Sequence, residues 1–104
     1  MLIYHVTHVQ NVSSIEASGI NPDFSVGKTR ACWYVTRRRL NWAISHICQR
    51  KKVWPDQLVV YSVYVNPSRL IRTSISGIYR ISGTIKTTRP HTPAMRYIGE
   101  AVDV

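Results

Sequence analysis

Acidic side chains are scarce in this chain: Asp and Glu together number five, against fourteen Lys and Arg. The formal net charge is therefore +9 with neutral histidines, and arginine supplies ten of the fourteen cations. Such a balance favours polyanionic partners, because the planar guanidinium fork matches phosphate geometry. Cysteine is nearly absent, and Cys32 and Cys48 stand too far apart for a metal cluster of the paired-cysteine kind. No spacing of His, Cys, Asp and Glu matches a ligand set, so no metal is expected. No apolar run approaches the roughly 18 residues that span a bilayer, which argues against a membrane role. The amino end lacks the features of a secretory signal, so a reducing cytoplasm is the expected compartment. Internal repeats and low-complexity tracts are missing too, and 104 residues suit a single domain over 1–104.

What the chain does have is apolar material in readable patterns. Hydrophobic residues make up 44%, with three Trp and six Tyr among them, enough for a core without disulfide staples. Leu2 to Thr7 reads as a strand, with His5 on the same face as Ile3 and Thr7. Val9, Val12 and Ile15 then recur at helical spacing, with Gly19 to stop the helix and Pro22 beyond it. A polar loop is expected from about Ile20 to Arg30. Ala31 to Thr36 is the second strand, with Cys32, Tyr34 and Thr36 opposite Trp33 and Val35.

Leu40, Ala43, Ile44 and Ile47 mark an amphipathic helix. Arg37, Arg38 and Arg39 open it, and Arg50, Lys51 and Lys52 close it. The closing cations suit the negative end of the helix dipole; the opening ones oppose the positive end and hint at an anion nearby. Gln57 to Val65 is apolar on both faces, as a central strand would be. Leu70-Ile71 is a short apolar segment, Ile78 to Ile85 suits an edge or hairpin strand, and Thr87 to Pro93 reads as a loop. Tyr97 to Val104 is expected to form the closing strand. The class is α+β, with both main helices in the first half.

On that closing strand Glu100 would share a face with Ile98, Val102 and Val104. A carboxylate among aliphatic side chains is costly unless paired, which makes it a candidate for chemistry; the plainer alternative is a pair with one of the arginines. Glu16 reads as part of a solvated helix face, while Asp23 and Asp56 shape turns. Of the histidines, His5 and His8 straddle the end of the first strand, His46 falls on the helix, and His91 sits in a loop between prolines. Neither G-x-S-x-G nor a complete phosphate loop occurs, and Gly27-Lys28-Thr29 carries only the tail of the latter.

The set that stands out is distributed: His5 in Tyr4-His5-Val6-Thr7, Tyr34 in Trp33-Tyr34-Val35-Thr36, and Glu100 near the end. Together with Ser14-Ile15-Glu16-Ala17-Ser18-Gly19-Ile20 after the histidine and Gly27-Lys28 ahead of the tyrosine, the series resembles the histidine-tyrosine-glutamate group of ADP-ribosyltransferases. It is similar as well to their relatives that modify DNA bases or remove RNA 2′-phosphates. Val6 stands where that group usually has glycine. The resemblance implies an ADP-ribosyltransferase-like fold of split mixed or antiparallel sheets, and NAD as co-substrate. It further implies that His5 holds a ribose hydroxyl, that Tyr34 stacks on nicotinamide, and that Glu100 steadies the charge developing at the anomeric carbon. Thr7 would join the NAD site, and an arginine such as Arg30 would clamp the pyrophosphate, a role that Arg37 or Arg80 would serve as well. A toxin-like member of the group would be met by a neutralising protein partner.

The expected activity is thus NAD-dependent transfer of ADP-ribose, with nucleic acid as acceptor. Arg37, Arg38, Arg39, Arg50, Lys51 and Lys52 are the expected nucleic-acid contacts. The alternative is a basic nucleic-acid-binding module or metal-independent ribonuclease, in which His5 with His8 or His46 exchanges protons at a ribose hydroxyl and exposed aromatics stack on bases. A blander alternative is a partner-binding domain that keeps the fold without its chemistry.

Overall fold

Among the described residues six strands form one sheet in the order β4-β5-β2-β1-β3-β6, with neighbouring strands antiparallel. The computed structural model describes residues 1–21 and 32–98. The strands are β1 (Leu2–His8), β2 (Cys32–Val35), β3 (Leu58–Tyr64), β4 (Ile71–Arg72), β5 (Ile78–Ile81) and β6 (Thr92–Pro93). The helices are α1 (Val12–Ser18), α2 (Leu40–Lys51) and the five-residue α3 (Ala94–Ile98). The chain is α+β, and its two longer helices fall in the first half as expected; the described strands make one antiparallel sheet, not split ones.

Alternation along β1 and β3 divides the core. Ile3, Tyr34, Val59, Tyr61, Val63 and Ile81 pack on one face beneath Ile15 of α1. Val6, Val35, Val60 and Ile78 pack on the other beneath Leu40, Ala43 and Ile44 of α2 and Ala94 of α3. Apolar burial on both faces is what the unbroken run of β3 dictates, and each large aliphatic side chain removed from water is worth about 1.5–3 kcal/mol.

Local signals fix the ends of the elements. The His8 side chain accepts a hydrogen bond from the Gln10 backbone N–H, starting a single 3-10 turn that leads into α1. Asn11 Nδ2 donates to Thr7 Oγ1 at 2.9 Å, joining that turn to β1. Gly19 ends α1 with φ of 80°, after which Ile20 bridges Ile85 through paired backbone bonds. The bridge holds α1 over its face of the sheet.

Three expectations need correction. Tyr97 and Ile98 are helical, not the start of a closing strand; Gly99 to Val104 lie outside the described residues. Ala94, Met95 and Arg96 favour helix, and Pro93 just ahead provides a φ suited to a helix entry. The strand expected over Ile78 to Ile85 ends at Ile81; it forms the expected hairpin, with Ile71-Arg72 as its partner and as the edge of the sheet. Thr92-Pro93, expected as loop, pairs with Val60 and Val59 as the opposite edge. Proline is tolerated there because an edge strand needs no donor on its outer side.

Candidate functional site

Tyr4 of β1 pairs with Val35 of β2, which sets His5 beside Tyr34 one step along the ladder. The two rings lie 5.3 Å apart, centroid to centroid, tilted by 43°. On its other side His5 pairs directly with Tyr61 of β3, and Tyr34 pairs with Tyr79 of β5. One register step beyond the Val60–Thr92 pair, His91 comes beside Tyr61, with rings 5.8 Å apart. A row of rings, Tyr79, Tyr34, His5, Tyr61 and His91, thus crosses five neighbouring strand positions on the face beneath α1.

His5 is half-buried at the centre of this row. Its Nδ1 lies 2.9 Å from the Trp33 carbonyl oxygen. A carbonyl can only accept, so Nδ1–H donates and the neutral ring keeps Nε2 as an acceptor. Burial lowers the proton affinity of the ring below the ordinary histidine value; the Trp33 hydrogen bond opposes that effect and the charge of Lys51 reinforces it. The structure therefore favours an uncharged imidazole that can receive a hydrogen bond.

Tyr34 is 0% exposed and Tyr61 1%. Neither hydroxyl has a hydrogen-bond partner, although an unsatisfied buried donor costs about 1–3 kcal/mol. Burial raises both phenols above their usual range, so both are neutral donors at physiological pH. The two tyrosines whose strand positions flank His5 thus each bury an unpartnered hydroxyl. Glu16 approaches the same row from α1, its Oε1 3.8 Å from His91 Nδ1. Tyr61, His91 and Glu16 carried no such role in the pattern reading, because register between distant strands brings them in.

Of the expected NAD-binding residues, the structure brings together His5, Tyr34 and Thr7, the last on the same strand face and tied to Asn11. Glu100 and Arg30 lie outside the described residues. Arg37, Arg38 and Arg39 form a 3-10 turn ahead of α2, while Arg50 and Lys51 occupy its last turn and Lys52 its C-cap. Only α2 residues 40–49 lie between Arg39 and Arg50, an offset of roughly 16 Å along the helix axis, so the two groups form two patches. The opening arginines have intramolecular roles: the Arg37 guanidinium lies 5.1 Å over Tyr97, and Arg39 Nε donates to the Ser76 carbonyl at 2.9 Å. Those contacts offset the unfavourable dipole placement that had suggested an anion. Arg38, Arg50, Lys51 and Lys52 are exposed.

Cys32 and Cys48 are free, and burial pushes both thiols up, away from the reactive thiolate. Among the described residues no group of three His, Cys, Asp or Glu could hold a metal ion, and no helix is long and apolar enough to cross a membrane. The chain matches no protein-family model, no curated protein and no solved structure.

Proposed function

We propose that this protein transfers ADP-ribose from NAD to a nucleic acid, with the His5 face of the sheet as its NAD site. The observation that carries the reading is the contact on one face between the His5 and Tyr34 rings, which stand on different strands of the sheet. Ribose suits that position: one of its hydroxyls can donate to Nε2 of the half-buried His5. The enclosed Tyr34 ring backs the imidazole, and it would meet nicotinamide only if binding opens the face. Thr7 stands one turn of the pleat away. Glu100 is assigned to the developing positive charge, and Arg30 to the pyrophosphate, on the resemblance alone. The excess of arginine favours a polyanionic acceptor.

Release of nicotinamide from NAD, with and without single-stranded DNA, duplex DNA and RNA, tests the proposal. Release should require His5, as judged by His5→Gln, and fall by at least about a hundredfold in Glu100→Gln, the scale set by losing one charge-stabilising group. Intact NAD with every acceptor, or equal release by the two variants and the parent, would overturn it.

A second reading rests on a different observation. Guanidinium groups sit over three partly exposed rings: Arg80 over Trp33 at 5.8 Å, Arg89 over Tyr64 at 5.1 Å and Arg37 over Tyr97 at 5.1 Å. Such pairs suit a surface that binds nucleic acid without NAD. Binding that weakens steeply with salt and is indifferent to Glu100→Gln would favour this reading.

A further inference from the structure

Tyr4 and His5 are consecutive in β1, so their side chains leave the sheet on opposite faces. Beside Tyr4, on the face that carries α2 and α3, the end of β3 meets the segment 89–92 and α3 around an open cleft of about 370 Å³. Ser62, Arg89, Pro90, Thr92, Arg96 and Tyr97 line it. Its side chains bring two guanidinium groups and three hydroxyls, and no carboxylate.

Aromatic rings border these cations. Arg89 covers part of Tyr64, which is still 65% exposed. Tyr97 carries the Arg37 guanidinium over its ring at 5.1 Å and meets Tyr4 in a T-shaped contact, with 6.1 Å between the tyrosine centroids. Guanidinium groups and hydroxyls suit phosphodiester oxygens, while an exposed ring with a stacked arginine offers a platform for a base. The cleft is open, which suits a chain passing across it better than an enclosed nucleotide. A duplex hides the faces of its bases and could use only the charges.

We propose that this cleft binds single-stranded nucleic acid, with Arg89 and Arg96 on the phosphates and Tyr64 stacking on a base. The inference rests on the second reading above, binding of nucleic acid without NAD, because the cleft lies on the opposite face of the sheet from His5 and so apart from the proposed transfer site. It requires no NAD, so binding measured without NAD separates its failure from failure of the transfer chemistry.

The experiment is fluorescence anisotropy with dye-labelled single-stranded DNA and RNA of about a dozen nucleotides, at roughly 50 and 200 mM salt. Arg89→Ala, Arg96→Ala and Tyr64→Ala are compared with Arg72→Ala, a charge-matched change on the exposed edge strand β4, at the other side of the sheet from β6. Circular dichroism confirms the fold of each variant. Tyr64→Ala should weaken binding by roughly 5- to 100-fold, the range for one lost base stack, with Tyr64→Phe close to the parent. Arg89→Ala and Arg96→Ala should each weaken binding and reduce the slope of log affinity against log salt by about one phosphate contact. Arg72→Ala should change affinity less than about twofold. No binding to either strand, cleft variants that behave like Arg72→Ala, or a duplex of equal length bound as tightly would each overturn the proposal.

Discussion

His5 donates from Nδ1 to the carbonyl oxygen of Trp33, the residue that precedes its ring partner Tyr34, at 2.9 Å. One strand thus supplies both the hydrogen bond that fixes the tautomer and the ring that backs the imidazole. The uncharged form is favoured because burial outweighs the gain that protonation would draw from that carbonyl.

A pH dependence of stability follows. Unfolded histidine titrates near 6.5, whereas His5 in the folded chain titrates lower. Between those two values the unfolded chain binds more protons, so unfolding free energy rises with pH through that window. The contribution is complete above about pH 6.5 and is lost as pH falls below it. Urea unfolding at about pH 7.5 and pH 5 should show a larger acid loss for the parent than for His5→Gln. Parallel losses in the two proteins would place the acid sensitivity elsewhere.

The buried phenols predict an unusual response to losing an oxygen. Tyr34→Phe and Tyr61→Phe each remove a hydroxyl that has no partner and leave the ring that fills the core. Each should therefore be neutral or stabilising, by up to about 1 kcal/mol. Tyr34→Ala, which empties a fully buried site, should cost about 3–5 kcal/mol. Denaturant midpoints measure all three, and a clear destabilisation by Tyr34→Phe would show that its hydroxyl has a partner in solution.

Much of this arrangement was legible in the chain. The alternation of β1 and β2 and the helical spacing of Leu40, Ala43, Ile44 and Ile47 report local geometry, and they placed His5 and Tyr34 on strands and the basic clusters at the ends of α2. Which strands pair is a different matter. That Tyr61 comes beside His5, and His91 beside Tyr61, depends on β3 pairing with β1 and β6, contacts between segments some 30 to 60 residues apart. No periodicity encodes them. Tyr97-Ile98 misled because two residues alternate as readily as they helix, and the deciding neighbours, Pro93 and Ala94-Met95-Arg96, lie upstream.

Gly19 predicts a backbone-limited site. With φ of 80°, it holds the left-handed side of conformational space, and a Cβ built there would stand 2.8 Å from the Ile85 carbonyl oxygen and 2.9 Å from Thr84 Cγ2. The obstacle includes backbone of the Ile20–Ile85 bridge, which cannot swing aside like a flexible side chain. Gly19→Ala should cost about 1–3 kcal/mol, from left-handed strain plus displacement of the bridge. At Gly83, also at positive φ, the nearest atom is an Arg69 guanidinium nitrogen at 3.6 Å. Gly83→Ala should therefore cost less, and thermal unfolding of the two variants checks the order.

Lys52 offers the opposite case, because it ends α2 in the left-handed region with φ of 53° and is not glycine. Its N–H caps the Cys48 carbonyl, a bond that any residue but proline can make there. Lys52→Gly should keep that bond, relieve the strain on Cβ and stabilise the fold by about 1 kcal/mol, the scale of the left-handed penalty. The same change removes an exposed cation at the closing end of the helix. If Lys52 contacts phosphate, affinity for nucleic acid should fall, and the salt slope should drop by about one, while stability rises. Urea unfolding and anisotropy on the same preparation separate the two effects; a stabilised variant with unchanged binding would take Lys52 out of the nucleic-acid surface and leave it as a helix end alone.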